Sequence, residues 1–86
     1  MSRSTVSTVP VYRWVRLAAG HYLLRLWHAN GAGSTTPARV YRLDTGGWRA
    51  CWSHDDDLTI SEAHTLYEVQ RAAELAALPE GAERAR

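Results

Sequence analysis

The spacing of apolar residues changes once along this 86-residue chain, and the change limits the fold more than any other feature. Between residues 9 and 53, apolar and polar side chains tend to alternate, which is typical of β-strands. From about residue 59, apolar residues recur at helical spacing until Pro79 ends the pattern. The sequence therefore predicts an α+β fold with a four-stranded antiparallel sheet, followed by one C-terminal helix packed on one sheet face.

Turn and loop signals separate the four predicted strands. The strands are expected at Val9–Leu17, His21–His28, Ala38–Leu43 and Trp48–Ser53. Ala18–Gly20 is predicted to be a turn, and Ala29–Pro37 a loop, because small residues, glycine and proline are concentrated there. Asp44–Gly47 carries the two glycines of a tight hairpin turn. The acidic segment His54–Asp57 is expected to end the sheet.

Thr59 and Glu62 have the spacing of a capping box, in which a threonine and a glutamate three residues later satisfy the free N–H groups of a helix start. The helix is therefore expected to begin within two residues of Thr59 or Ser61 and to end near Leu78, before Pro79. Its inward face is expected to contain Ala63, Leu66, Gln70, Ala73 and Ala77.

The length allows one hydrophobic core, so we expect a single domain over residues 9–79, with a flexible tail at 1–8 and a polar tail at 80–86. The composition, with 45% hydrophobic and 22% charged residues, is typical of globular proteins. No segment approaches the ~20 apolar residues of a membrane span, and residues 1–10 lack the features of a secretory signal. One cysteine, Cys51, allows no intrachain disulfide, which fits a cytoplasmic protein.

Charge is strongly segregated along the chain. Residues 1–53 contain seven arginines and one acid, whereas residues 54–86 contain three arginines and eight acids. The chain has no lysine, and its arginines lie among tryptophans and tyrosines in the predicted strands. Arginine binds phosphate with two parallel hydrogen bonds, and aromatic rings stack on bases, so this pattern favours a nucleic-acid-binding sheet face.

Alternation assigns the candidate residues to the sheet face away from the helix. Tyr12, Trp14 and Arg16 are expected there beside Arg25 and Trp27, while Val11, Val15 and Leu17 face the helix. A turn at 44–47 places Arg42 opposite Arg49 on the same open face. Two opposed like charges are unfavourable unless an anion binds between them. The predicted nucleic-acid contacts are therefore Arg16, Arg25, Arg42 and Arg49 for the phosphates, and Trp14 and Trp27 for stacking.

The same residues allow other interpretations. The tryptophans can simply fill the core of a chain without phenylalanine, with solvated arginines around them. Alternatively, Trp, Tyr and Arg can form a protein-binding surface. Cys51 and His54 have too few companions for a structural zinc site, and nothing marks Cys51 as an activated nucleophile. We therefore expect no metal, no cofactor and no enzymatic activity.

Two short segments resemble a known family. The strand Gly47–Trp52, followed by Thr59–Ala63, resembles the end of the arm-type DNA-binding domain of phage-type integrases, over about a third of the chain. The resemblance implies a sheet that contacts DNA and a helix that lies behind it. It also implies a phage or mobile-element origin. Separately, the arginine-rich, lysine-free composition is typical of a protein from a GC-rich genome.

The leading hypothesis is a small DNA-binding or DNA-associated protein. The alternative is a protein-binding accessory or inhibitor module, with a protein partner or a second copy of itself; neither hypothesis involves a membrane. The two hypotheses predict different positions for the arginines and the acidic residues. Arginines that lie mostly on the open face, with the acids on a helix behind the sheet, favour DNA. Arginines paired with Asp55–Asp57 and the helix glutamates favour a protein partner.

Overall fold

The structure, a computed structural model, describes residues 9–28 and 33–85. Within these ranges the elements are β1 (Val11–Ala18), β2 (His21–Trp27), β3 (Ser34–Arg42), β4 (Trp48–Trp52), β5 (Asp55–Ala63), α1 (Leu66–Ala77) and β6 (Glu83–Arg84). The strands form one sheet in the order β5-β4-β3-β2-β1-β6, in which β6 is parallel to β1 and the other neighbours are antiparallel. The α+β class is confirmed, but the prediction of a four-stranded antiparallel sheet is wrong.

The first four strands lie close to their predicted positions. The turn between β1 and β2 contains Gly20 with φ 72°, a conformation that favours glycine. β3 begins at Ser34, inside the segment that the sequence predicts to be a loop. Of that predicted loop, residues 29–32 lie outside the described residues, as does the predicted flexible tail at 1–8.

The acidic segment after β4 continues the sheet instead of ending it. β5 pairs with β4 along most of its length, with Trp48 opposite Ala63 and Ala50 opposite Ser61. Ile60 and Ala63 pack against the core, and this burial outweighs the low strand propensity of the aspartates. The prediction that Thr59–Ala63 begins the helix is therefore wrong.

The helix begins later than predicted, at the second of two segments that have the Thr-x-x-Glu spacing. Thr65 is the N-cap residue: its Oγ1 accepts a hydrogen bond from the Glu68 backbone N–H at 3.1 Å, while its own N–H donates to Glu68 Oε1 at 3.3 Å. The capping box that the sequence predicts at Thr59 and Glu62 thus forms at Thr65 and Glu68. The predicted end is confirmed, since α1 stops at Ala77 with Leu78 as its C-cap.

The core lies between α1 and one face of the sheet. Leu24, Val40 and Ala50 from the sheet and Val69 and Ala73 from the helix are all fully buried. Small residues on both sides allow the helix to lie close to the strands. Leu66 and Ala77 pack against this core as predicted. Val69 takes the central inward position that was predicted for Gln70.

Part of the predicted polar C-terminal tail joins the sheet. The backbone N–H of Glu83 donates to the Pro10 carbonyl at 2.9 Å, and that of Ala85 donates to the Tyr12 carbonyl at 2.7 Å. These bonds make β6 an edge strand beside the first residues of β1.

Candidate functional site

The sheet has one face covered by α1 and one face that no described element covers. We call the second the open face. Cross-strand register places these residues on it: Val11, Arg13, Val15, His21, Leu23, Arg25, Trp27, Arg39, Tyr41, Arg49, Cys51, Glu62 and Glu83. The residues that alternate with them form the helix-side face, which includes the buried core.

The six predicted contact residues are divided between the two faces. Arg25, Trp27 and Arg49 lie on the open face, as predicted. The placement of Trp14, Arg16 and Arg42 on that face is wrong, because their cross-strand partners Leu24, Tyr22 and Trp48 belong to or pack against the core. A single sheet face therefore cannot carry all six residues.

The face of β1 is set by contacts with the helix. Tyr12 is buried in the core, and the Trp14 indole N–H donates to Glu74 Oε2 of α1 at 2.8 Å. The opposite orientation would turn Arg13 toward the core, where a charge is costly without a partner. The predicted inward residues of this strand, Val11, Val15 and Leu17, accordingly point away from the helix or lie exposed at the strand end.

A loop one residue longer than predicted reverses the end of β3. The β3–β4 loop runs from Leu43 to Gly47 and is closed by the Leu43 N–H, which donates to the Gly47 carbonyl at 2.8 Å. Arg42 therefore lies opposite Trp48, and Tyr41 opposite Arg49. Since a shift of one residue moves every side chain of a strand to the other face, Arg42 is on the helix side.

Charge is segregated across the sheet, from one edge toward the other. β1, β2 and β3 contain five arginines and no acid, whereas β5 contains Asp55, Asp56, Asp57 and Glu62 and no basic residue. The sequence predicts a basic sheet backed by an acidic helix. Instead, four of the eight acids of residues 54–86 lie in edge strand β5 and one lies in β6, within the same layer as the arginines.

The acids of β5 neutralise the nearest arginines. Arg39 forms an ion pair with Asp56, and the hydrogen bond to this carboxylate raises the pKa of the Arg39 guanidinium. Arg49 Nη2 lies 2.8 Å from Glu62 Oε2, and hydrogen bonds to Tyr41 and Glu62 raise the pKa of the Arg49 guanidinium. Both guanidiniums are therefore held in place by the protein itself.

The β1–β2 part of the open face contains two opposed arginines. Arg13 and Arg25 are directly opposite each other across the two strands, with Trp27 and Val11 as the next pair. The Arg25 guanidinium carbon lies 5.7 Å from the Trp27 ring centroid, and Arg25 Nη2 donates to Ser34 Oγ at 2.9 Å. Trp27 is 40% exposed. These contacts hold Arg25 beside an accessible aromatic ring.

Sequence reasoning missed Arg13 and Arg39, which also lie on the open face. The alternation of β2 is unambiguous, since Leu24 and Leu26 are its buried residues, and it correctly assigns Arg25 and Trp27. The alternation of β1 is ambiguous because valine and leucine occupy one face and tyrosine and tryptophan the other. One feature of the sequence does indicate the correct face for Arg13: its charge is unfavourable at a position predicted to face the helix.

Cys51 and His54 lie in different environments. Cys51 is fully buried in the middle of β4, whereas His54 is exposed in the turn that follows. Among residues 9–28 and 33–85, no three His, Cys, Asp or Glu side chains are close enough together to hold a metal ion. Metal analysis of the purified protein tests the expectation of no bound zinc.

Comparisons with protein-family models, curated proteins and solved structures find no match to this chain. None of the helices in the described part of the chain has the length and apolar character needed to span a membrane.

Proposed function

We propose that this is a non-enzymatic protein that binds DNA through the β1–β2 end of its open face. The observation that carries the proposal is the placement of Arg13 directly opposite Arg25, next to an exposed Trp27. Opposed like charges concentrate a positive potential, and a phosphate group placed between them is stabilised by both. Arg49 also lies on the open face, where Glu62 holds its guanidinium.

The resemblance to the arm-type domain of phage-type integrases gives only partial support. It rests on Gly47–Trp52 and Thr59–Ala63, but Thr59–Ala63 belongs to β5 and does not open the helix. The strand Gly47–Trp52 is the part that remains, and for it the resemblance implies a sheet that contacts DNA and a helix that lies behind it.

Salt-dependent binding to duplex DNA tests the proposal. We expect affinity to fall steeply as KCl rises, since bound phosphates release counterions. Arg25→Gln is expected to weaken binding across unrelated sequences and to reduce the slope of log K against log salt by about one unit. Arg71→Gln is the matched control, because it removes the same charge from the outer surface of α1. Equal losses in both variants, or binding insensitive to salt, would contradict a specific role for the open face.

A second candidate function is protein binding by the outer surface of α1. Tyr67 and Leu75 are 70% and 78% exposed, and Arg71 lies between them at four-residue spacing. Tyrosine and arginine are common at the centres of protein interfaces. Light scattering tests the homodimer form of this hypothesis. A dimer mass that returns to one chain in the double variant Tyr67→Ser, Leu75→Ser would favour it, and a monomer at all concentrations would exclude it.

A further inference from the structure

The helix-side face has one corner that α1 leaves uncovered, at the β1–β2 turn and the end of β3. α1 packs on β3, β4 and β5, and Glu74 in its C-terminal half contacts Trp14 of β1. The uncovered corner contains a shallow depression of about 470 Å³, which is lined by Arg16, Ala19, Gly20, Tyr22, Arg42 and Trp48. No acidic residue lines it.

Backbone contacts bring the two arginines of this depression together. Arg16 pairs with Tyr22 across β1 and β2, and Arg42 pairs with Trp48 across β3 and β4. The Arg42 N–H donates to the Gly20 carbonyl at 2.9 Å, which fastens the β1–β2 turn against the end of β3. A Cβ atom at Gly20 would lie 3.3 Å from the Arg42 Cβ, so glycine permits this close approach. The position of Arg42 beside the turn is therefore built into the backbone.

No ion pair neutralises these two arginines within the described part of the chain. Both are exposed. The Arg42 guanidinium carbon lies 6.0 Å from the Trp48 ring centroid, and the Tyr22 and Trp48 rings are 6.1 Å apart. The Trp48 ring excludes water from one side of the Arg42 guanidinium and strengthens its attraction for an anion.

The geometry points to this depression as a binding site for a phosphate group, separate from the open face. Two arginines that line one depression present several N–H donors, and arginine matches the oxygens of phosphate with paired hydrogen bonds. The phosphate can belong to a small molecule, such as inorganic phosphate or a nucleotide, or to the backbone of a nucleic acid. The chemistry is the same in both cases. The site does not depend on the function proposed for the open face, because it lies on the other side of the sheet.

NMR titration of the ¹⁵N-labelled protein tests the site. The probes are inorganic phosphate, AMP and a short single-stranded oligonucleotide, each added at constant ionic strength maintained with chloride. We expect saturable shifts of the Trp48 indole N–H and of the Arg16 and Arg42 Nε–H signals. Saturation by phosphate and AMP supports a small-molecule source, and saturation by the oligonucleotide alone supports a backbone phosphate.

Variants separate this site from the open face. Arg16→Gln and Arg42→Gln are each expected to weaken the binding by about tenfold, since each removes a charge-assisted hydrogen bond to the phosphate. Arg71→Gln, on the outer surface of α1, is the control and is expected to leave the binding unchanged. The dispersion of each variant's spectrum shows that it is folded. Linear shifts with all three probes, or the same affinity in Arg16→Gln, Arg42→Gln and Arg71→Gln, would overturn the proposal. Loss of duplex binding in Arg25→Gln with unchanged binding of inorganic phosphate would show that the two sites are independent.

Discussion

Glu74 connects the helix to the first strand through polar contacts at the edge of the core. It is only 8% exposed, and it accepts a hydrogen bond from the Trp14 indole at 2.8 Å and another from Arg71 Nη1 at 3.2 Å. Removing the carboxylate leaves the partly buried Trp14 N–H without its acceptor. We therefore expect Glu74→Ala to lower the free energy of unfolding by about 1–3 kcal/mol in urea titrations.

Two companion variants make the Glu74 measurement specific. Glu74→Gln is expected to cost less, because its carboxamide oxygen still accepts from Trp14. Glu80→Ala removes the same side chain from an exposed position and serves as the control. A Glu74→Ala protein as stable as Glu80→Ala would show that the contact between Trp14 and Glu74 does not fix the face of β1.

Tyr12 makes the stability sensitive to alkaline pH. Burial in the core, together with the charge and hydrogen bond of Glu74, raises the pKa of Tyr12 above that of a free tyrosine, which is about 10. Above that pH the unfolded chain loses the proton more readily than the folded one. The contribution of Tyr12 is therefore complete below about pH 10 and is lost as the pH rises through its folded-state pKa.

The variant Tyr12→Phe isolates this effect. It has no hydroxyl at this position, while the other tyrosines titrate as in the parent protein. Urea midpoints measured from about pH 8 to 11.5 are expected to fall more steeply for the parent than for Tyr12→Phe. Parallel curves would contradict the assignment of the alkaline loss to Tyr12.

At the scale of elements, the start of α1 can be tested by comparing two threonines. Thr65 caps the helix, and its replacement by alanine removes the acceptor of the Glu68 N–H. Thr65→Ala is expected to reduce the free energy of unfolding by about 1 kcal/mol. Thr59 is exposed in edge strand β5, so Thr59→Ala is the matched control, with a smaller expected loss. A larger loss at Thr59 would favour a helix that begins there.

The sequence predicts the elements of this fold better than their registers. Periodicity locates β2 and β4 correctly, and Pro79 correctly predicts the end of α1. The sequence pattern does not distinguish between Thr59 and Thr65 as the N-cap residue of α1, because both precede a glutamate by three residues. Pairing with β4 makes that choice, because it takes Thr59 into the sheet and leaves Thr65 as the N-cap.

The sequence likewise assigns only some residues of the candidate site to the correct sheet face. Arg25 and Trp27 could be predicted because the buried leucines of β2 define its faces. Arg42 could not, because one additional loop residue after it decides which face it occupies. The face of β1 depends on whether Trp14 meets Glu74, which is a contact between residues sixty positions apart.

At the scale of the whole molecule, the separation of charge across the sheet affects both the DNA-binding and the protein-binding hypothesis. Ion pairs with β5 neutralise Arg39 and Arg49, which weakens the case for DNA binding at that edge and favours a protein partner there. The β1–β2 end has no acidic residue within its strands, and it carries Arg13, Arg16 and Arg25. The β1–β2 end is therefore more basic than the β5 edge, although β6 adds Glu83 opposite Val11.

This separation predicts that the location of a charge matters more than the net charge of +1. Asp56→Asn removes an acid beside the open face and releases Arg39 from its ion pair. We expect this variant to bind duplex DNA more tightly and to increase the salt slope by about one unit, because a further guanidinium becomes available to a phosphate. Glu80→Gln changes the net charge equally but lies in the loop between α1 and β6, so it serves as the control. An equal gain in both variants would indicate attraction by net charge alone. No gain in Asp56→Asn would show that DNA does not approach the open face at Arg39.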